Sequence, residues 1–178
     1  PEEYAVSPEM TLGLDPREVT IGDVLSKAGY RCGTVGKWDM GQARRYLPLQ
    51  RGFEFFYGHG NNGIDYFTHE RYGVPSLFRG NERTTKDRGT YATTLFQREA
   101  IRFLEHNDER PWFLYLAFNA PHGASSFDFK GVQALEEDIE RFRGHAPKES
   151  LLGYYAALYR MDAAIGAVLH QLSKSGDD

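Results

Sequence analysis

Two residues of this chain have side chains suited to anion binding and proton transfer, and both stand where a strand ends. Lys37 follows Tyr30-Arg31-Cys32-Gly33-Thr34-Val35, a short run of strand-forming character. It lies in Gly36-Lys37-Trp38-Asp39-Met40-Gly41, a segment bounded by glycines. In open α/β sheets ligands bind outside the carboxyl ends of the strands. Glycine there lets the backbone turn and lets a ligand come close. A lysine ammonium is a compact charge suited to a tetrahedral oxyanion such as sulfate or phosphate. Taken alone, a lysine in a turn is more often a solvated surface charge. The second residue is His122, in Asn119-Ala120-Pro121-His122-Gly123, which follows the apolar run Trp112 to Phe118. Imidazole titrates near neutrality and can give or take a proton. A lone histidine is more often structural than catalytic, so the joint placement makes the stronger claim.

The elements that must position these residues can be read from the pattern. Thr20 reads as a helix N-cap with Asp23 as its reciprocal partner. Ile21, Val24, Leu25 and Ala28 then form one apolar face, and Gly29 supplies the stop. The strand Tyr30–Val35 follows. Arg110 to Phe118, nearly all apolar, predicts a strand buried on both faces of a parallel sheet. Between them, residues 42–90 are rich in glycine and aromatics with little period, and read as a long functional loop. Arg44, Arg45 and Arg51 in and beside it form either a cationic rim or a solvated face.

Thr93 or Thr94 opens a helix with Phe96, Ala100, Phe103 and Leu104 inward, broken at Asn107-Asp108. A short helix is predicted around Leu135–Phe142. A long one follows, with Tyr154, Leu158, Met161, Ile165, Val168 and Leu172 as its stripe and Gly176 as its stop. Asp162 beside that stripe reads as a structural carboxylate. Pro1–Arg17, with Pro8, Gly13 and Pro16, reads as a loop. The fold class is α/β: part of a doubly wound, mostly parallel sheet with helices on both faces, incomplete because only two strands are evident.

The 178 residues suit one domain. A net charge of −4 with no Lys/Arg run argues against nucleic acid as a partner. No apolar stretch reaches membrane-spanning length, so no membrane partner is expected. There is no signal-peptide pattern, and the start at Pro1 suggests a chain that begins mid-protein. A single cysteine, Cys32, excludes an internal disulfide framework.

Five segments in order resemble the type I, formylglycine-dependent sulfatases of the alkaline phosphatase superfamily. They are Ala28-Gly29-Tyr30, Val35-Gly36-Lys37-Trp38, Gly52-Phe53 with Phe56-Tyr57-Gly58, Asp65-Tyr66-Phe67-Thr68-His69, and Phe113-Leu114-Tyr115-Leu116 leading to Ala120-Pro121-His122. The resemblance runs from about Pro16 to Gly176 and implies that residues 1–178 are the central part of one sulfatase catalytic domain. It implies that Lys37 binds the sulfate and the leaving-group oxygen, and that His122 is the acid for that group. Asp65 and His69 fall in the family's segment near the substrate pocket, and the resemblance implies that they contact substrate. For His69, a ring hydrogen-bonded to the loop backbone is an equal alternative.

Calcium and formylglycine are the expected cofactors of the parent enzyme. Their ligands and the Cys (or Ser)-x-Pro-Ser-Arg motif are not found here, so the chain alone is expected to be inactive. Cys32, in Arg-Cys-Gly-Thr, does not match that motif. Asp39 is a departure, since the family has His after Lys-Trp. Its carboxylate either faces the sulfate pocket, pairs with Arg44 or Arg45, or reads a cationic or hydroxyl-rich part of an unusual substrate. The implied partners are a sulfated small molecule or glycan and the rest of the domain; the implied location is periplasmic, secreted or lysosomal. The alternatives are a non-catalytic binding or packing module, or a phosphate or phosphonate monoester hydrolase.

Overall fold

Residues 12–106 and 108–175 are described by the computed structural model. Most of the N-terminal loop reading, with Asn107 and the stop at Gly176, lies outside them. Helix α1 (Ile21–Lys27) feeds strand β1 (Arg31–Lys37), which pairs in parallel with β2 (Phe55–His59) on one side. On its other side β1 pairs in parallel with β7 (Trp112–Ala117). Between β2 and β7 the chain forms a two-stranded ladder, β3 (Glu70–Arg71) with β4 (Val74–Pro75). It then adds β5 (Leu77–Arg79) and β6 (Glu82–Arg83) antiparallel to the edge of the main sheet, and runs into helix α2 (Ala92–Leu104). Helices α3 (Glu136–Phe142) and α4 (Leu152–Ser175) close the described chain. The main sheet has the order β6-β5-β2-β1-β7.

Alternation along the strands sorts the core into two layers. Val35 and Tyr57 face α2 and α4, packing with Leu95, Phe96 and Ala157. Cys32, Phe56 and Phe78 face the other way, against Trp38, Leu47, Phe53 and Leu25 of α1. The sheet is therefore covered on both faces, as expected. Five strands are found where residues 42–90 read as loop, three of them in the main sheet. β2, Phe-Phe-Tyr-Gly-His, has no β-branched residue and a central glycine, and β5 and β6 are two or three residues long.

Several face assignments need correction. Among the described residues β7 stands at the edge of the main sheet, half-buried with Tyr115 exposed and not buried on both faces. In α1, Ile21 and Val24 are exposed and Gly22 is the buried residue. A Cβ on Gly22 would lie 2.5 Å from the Arg51 carbonyl oxygen, so the helix docks backbone-first. In α4 the buried positions are Leu152, Ala156, Ala157, Ala164 and Val168, whereas Tyr154 and Ile165 of the expected stripe are exposed. Small alanines let α4 lie close to its neighbours, so the tight face is not the face of largest residues. Asp162 is exposed; the structural carboxylates are Asp138 and Glu99. Asp138 receives Arg160 Nε at 2.6 Å, tying α3 to α4. Glu99 receives both guanidinium nitrogens of Arg79 at 2.9 and 2.8 Å, tying α2 to β5.

The N-cap of α1 is the expected capping box. Thr20 Oγ1 accepts the Asp23 N–H at 3.2 Å, and the Asp23 carboxylate accepts the Thr20 N–H at 2.8 Å. Thr20→Ala is expected to cost about 1 kcal/mol of stability, read as a shifted urea midpoint with an unchanged slope. An unshifted midpoint would mean that the cap is not coupled to global unfolding.

Candidate functional site

The three parallel strands β1, β2 and β7 point the same way, so their carboxyl ends form one edge. Lys37 is the last residue of β1 and is paired in register with His59, the last residue of β2. Lys37 thus belongs to the strand and does not follow it. The close approach of the strands depends on Gly36, with φ of +102°. A Cβ there would sit 1.9 Å from the Ala117 carbonyl oxygen, so only glycine fits.

Trp38 anchors the turn after Lys37. Its N–H donates to the His59 carbonyl at 2.9 Å, and its buried indole donates to the Tyr46 carbonyl at 2.8 Å. Asp39 follows with φ of +57°, a left-handed conformation that Asp tolerates better than most residues. This turn brings Asp39 Oδ2 to 3.5 Å from Lys37 Nζ, with both side chains about one third exposed at 32% and 35%. Lys37, not Arg44 or Arg45, is therefore the partner of Asp39. Arg44 meets Glu82 at 3.6 Å, and Arg45 lies over the Tyr46 ring at 4.6 Å. Arg51 is no part of a rim: it is buried, donating to the Glu18 carbonyl at 2.7 Å.

His59 was not singled out from sequence, because only the β1–β2 ladder sets it beside Lys37. Its ring is fully buried, with Nδ1 donating to the Asn61 backbone oxygen at 2.8 Å and to its side-chain oxygen at 3.1 Å. Burial, aided by the positive charges of Lys37 and Arg71, pushes its pKa down to about 4. The ring is neutral at pH 7, and its Nε2 has no hydrogen-bond partner among the described residues.

His122 lies five residues beyond the end of β7, exposed at the same edge. Its Nδ1–H donates to the Gly123 carbonyl at 2.7 Å, leaving Nε2 for proton exchange. Tyr66 Oη donates to the His122 carbonyl at 2.8 Å and holds the turn. Asn119, also passed over, is buried, its backbone carbonyl accepts the His122 N–H at 2.9 Å, and its side-chain amide makes no well-formed hydrogen bond among the described residues. Arg71 joins the two loops, donating to Asn62, to the Gly63 carbonyl at 3.3 Å and to Ser125 Oγ at 3.2 Å.

Asp65 and His69 occupy the loop after β2 with their polar atoms turned to the fold. Asp65 Oδ1 accepts the N–H groups of Phe67 and Thr68 at 2.9 and 2.8 Å, and Oδ2 accepts the Gln133 amide at 2.8 Å. Burial pushes its pKa up, but these donors outweigh burial and hold it below the usual carboxylate value. His69, at φ of +59°, donates from Nε2 to the Thr90 carbonyl at 2.8 Å, and burial pushes its pKa down. The edge offers an ammonium with a carboxylate 3.5 Å away at the end of β1, and an exposed imidazole in the loop after β7. That set can bind an oxyanion and protonate a leaving group.

A family model described as Sulfatase matches residues 3–178. Among curated relatives, the uncharacterized sulfatase YdeN of Escherichia coli (strain K12) is 26% identical over 92% of this chain and 31% of its own length. Arylsulfatase J of Mus musculus is 32% identical over 88% of this chain and 26% of its own. The chain thus spans about a third or less of these relatives. The crystal structure of Ps i-CgsB matches with a TM-score of 0.82 and 26% identity, over 95% of this chain and 39% of that one. A second structure of that protein, in complex with k-i-k-neocarrahexaose, matches with a TM-score of 0.81. The fold class expected from sequence, α/β and alkaline phosphatase-like, is the one shared with these structures.

Proposed function

The chain belongs to the sulfatase family, and from that premise we propose that it is the central part of the catalytic domain of a sulfuric ester hydrolase. Its substrates are sulfate esters of a carbohydrate or aryl alcohol. The observation that carries this reading is the placement of Lys37 as the last residue of β1 and of His122 in the loop after the adjacent parallel strand β7. Lys37 holds the sulfuryl oxygens and the leaving-group oxygen, where a fixed charge stabilises the developing negative charge. His122, donating through Nε2, protonates the departing alcohol. Asp39, 3.5 Å from the ammonium, tempers the charge of Lys37. Asp65 and His69 shape the substrate loop from behind. Steady-state turnover by full-length protein carrying Lys37→Ala or His122→Ala tests the reading.

Formylglycine would supply the nucleophile of sulfate-ester cleavage and calcium would neutralise sulfate charge. The described residues do not fit either group. They contain no cluster of three His, Cys, Asp or Glu able to hold a metal. Cys32 is buried at 1% exposure, and burial pushes its thiol pKa up. No step is therefore assigned to them through this chain. Among the described residues no helix is long and apolar enough to cross a membrane. A periplasmic, secreted or lysosomal location fits the proposed activity.

The Lys37–Asp39 pair favours one second reading, a non-catalytic module whose lysine is neutralised by its neighbour. Asp39→Asn decides between them, because asparagine tolerates the same left-handed backbone and removes only the charge. An exposed pair is worth about 0–1 kcal/mol, so the variant is expected to lower KM for an aryl sulfate by up to about fivefold with kcat retained. A higher KM would mean that Asp39 contacts the substrate directly. Activity that appears only in the variant would favour the non-catalytic reading of the natural chain.

A further inference from the structure

Resting on the sulfatase reading, we propose that Phe127, backed by Tyr72, is a stacking platform for a pyranose ring next to the sulfated residue. A sulfated oligosaccharide, not a small aryl ester, is then the substrate class. Phe127 is 72% exposed, yet its ring is braced from one side. Its ring lies 5.2 Å from that of Tyr72, inclined by 51°. Tyr72 has φ of +45°, a conformation that a bulky residue keeps only where its surroundings enforce it. The enforcement is visible. The Tyr72 N–H donates to the Ser125 carbonyl at 3.0 Å, and the Arg71 guanidinium sits 5.4 Å over the ring.

The platform is built on the loops that hold the proposed acid. A Cβ on Gly63 would lie 2.9 Å from Ser125 Oγ and 3.1 Å from Cε1 and Nδ1 of His122, so the imidazole packs directly on this strut. Arg71 locks the same strut through Gly63 and Ser125. A substrate whose leaving oxygen meets His122 therefore lies over the loop that carries Phe127, the more exposed of that loop's two exposed phenylalanines (72% against 42% for Phe129). The flanking residues suit a sugar. Ser126 Oγ accepts the Asp128 N–H at 3.3 Å, fixing a turn that offers a hydroxyl and an exposed carboxylate beside the ring. The C–H face of a pyranose meets the electron-rich face of Phe127, and its hydroxyls donate to Asp128. The same carboxylate repels a second sulfate, so the seated ring is one without sulfate on that edge.

The test compares the full-length protein with Phe127→Ala and Phe127→Trp. The readouts are retardation in native gels containing ι-carrageenan, chondroitin sulfate or heparin, and turnover of 4-nitrophenyl sulfate. The natural protein and Phe127→Trp are expected to be retarded by one of these polymers. Phe127→Ala should bind that polymer about tenfold more weakly while hydrolysing 4-nitrophenyl sulfate as the natural protein does. No retardation of the natural protein, unchanged retardation of Phe127→Ala, or equal losses in both readouts overturns the platform. Retardation that depends on Phe127 in a protein that cleaves no sulfate ester would keep the platform and sink the catalytic reading instead.

Discussion

Lys37→Ala in the full-length protein is expected to lower kcat/KM for a sulfate ester by about 100-fold or more, the scale of removing one preorganised charge-stabilising group. The loss follows from position and from the weakness of the competing pair. Asp39 lies 3.5 Å from the ammonium, but both groups are about one third exposed at 32% and 35%, so water screens their attraction. The lysine charge thus remains available to a bound oxyanion. Because it is partly exposed at the end of β1, its removal leaves no cavity, and the melting temperature should stay unchanged. Lys37→Arg is expected to recover little, since a planar fork does not replace a point charge at this spot. A kcat/KM within about threefold of the natural protein, with chemistry rate-limiting, would remove Lys37 from the site.

For His122→Ala the expected result depends on the leaving group. Acid catalysis contributes about 10²–10⁴-fold where the alcohol must be protonated as it departs. An alkyl or sugar sulfate should therefore lose about that much in kcat. Turnover of 4-nitrophenyl sulfate, whose phenolate leaves unaided, should fall only slightly. The geometry supports this role: Nδ1–H is committed to the Gly123 carbonyl at 2.7 Å, so Nε2 is the nitrogen that exchanges the proton. Equal losses on both substrates would make His122 a structural residue of its turn.

Much of this arrangement was legible in the residues. The capping box at Thr20 and Asp23, the β1 run into Gly36-Lys37, the α2 face of Phe96, Ala100 and Phe103, and the apolar β7 run are local patterns, set by spacing and turn chemistry. Lys37 and His122 were visible for the same reason, as polar residues placed just where an apolar run stops. His59 was hidden because its importance comes from the ladder that sets it beside Lys37, across more than twenty residues of chain.

Sequence alone thus determined an α/β chain with helices flanking a parallel pair and the residues at its strand ends. Periodicity reports which side of an element is apolar, and that is enough to define strands and helices. It does not report what covers that side. Only the tertiary structure decided that Gly22 and the alanines of α4 are the tight faces, because close approach favours small residues over large ones. It alone inserted β2 beside β1 and, among the described residues, left β7 at an edge. It also gave Asp39 to Lys37 in place of Arg44 or Arg45, because one left-handed residue after a buried tryptophan turns the carboxylate back toward the strand end.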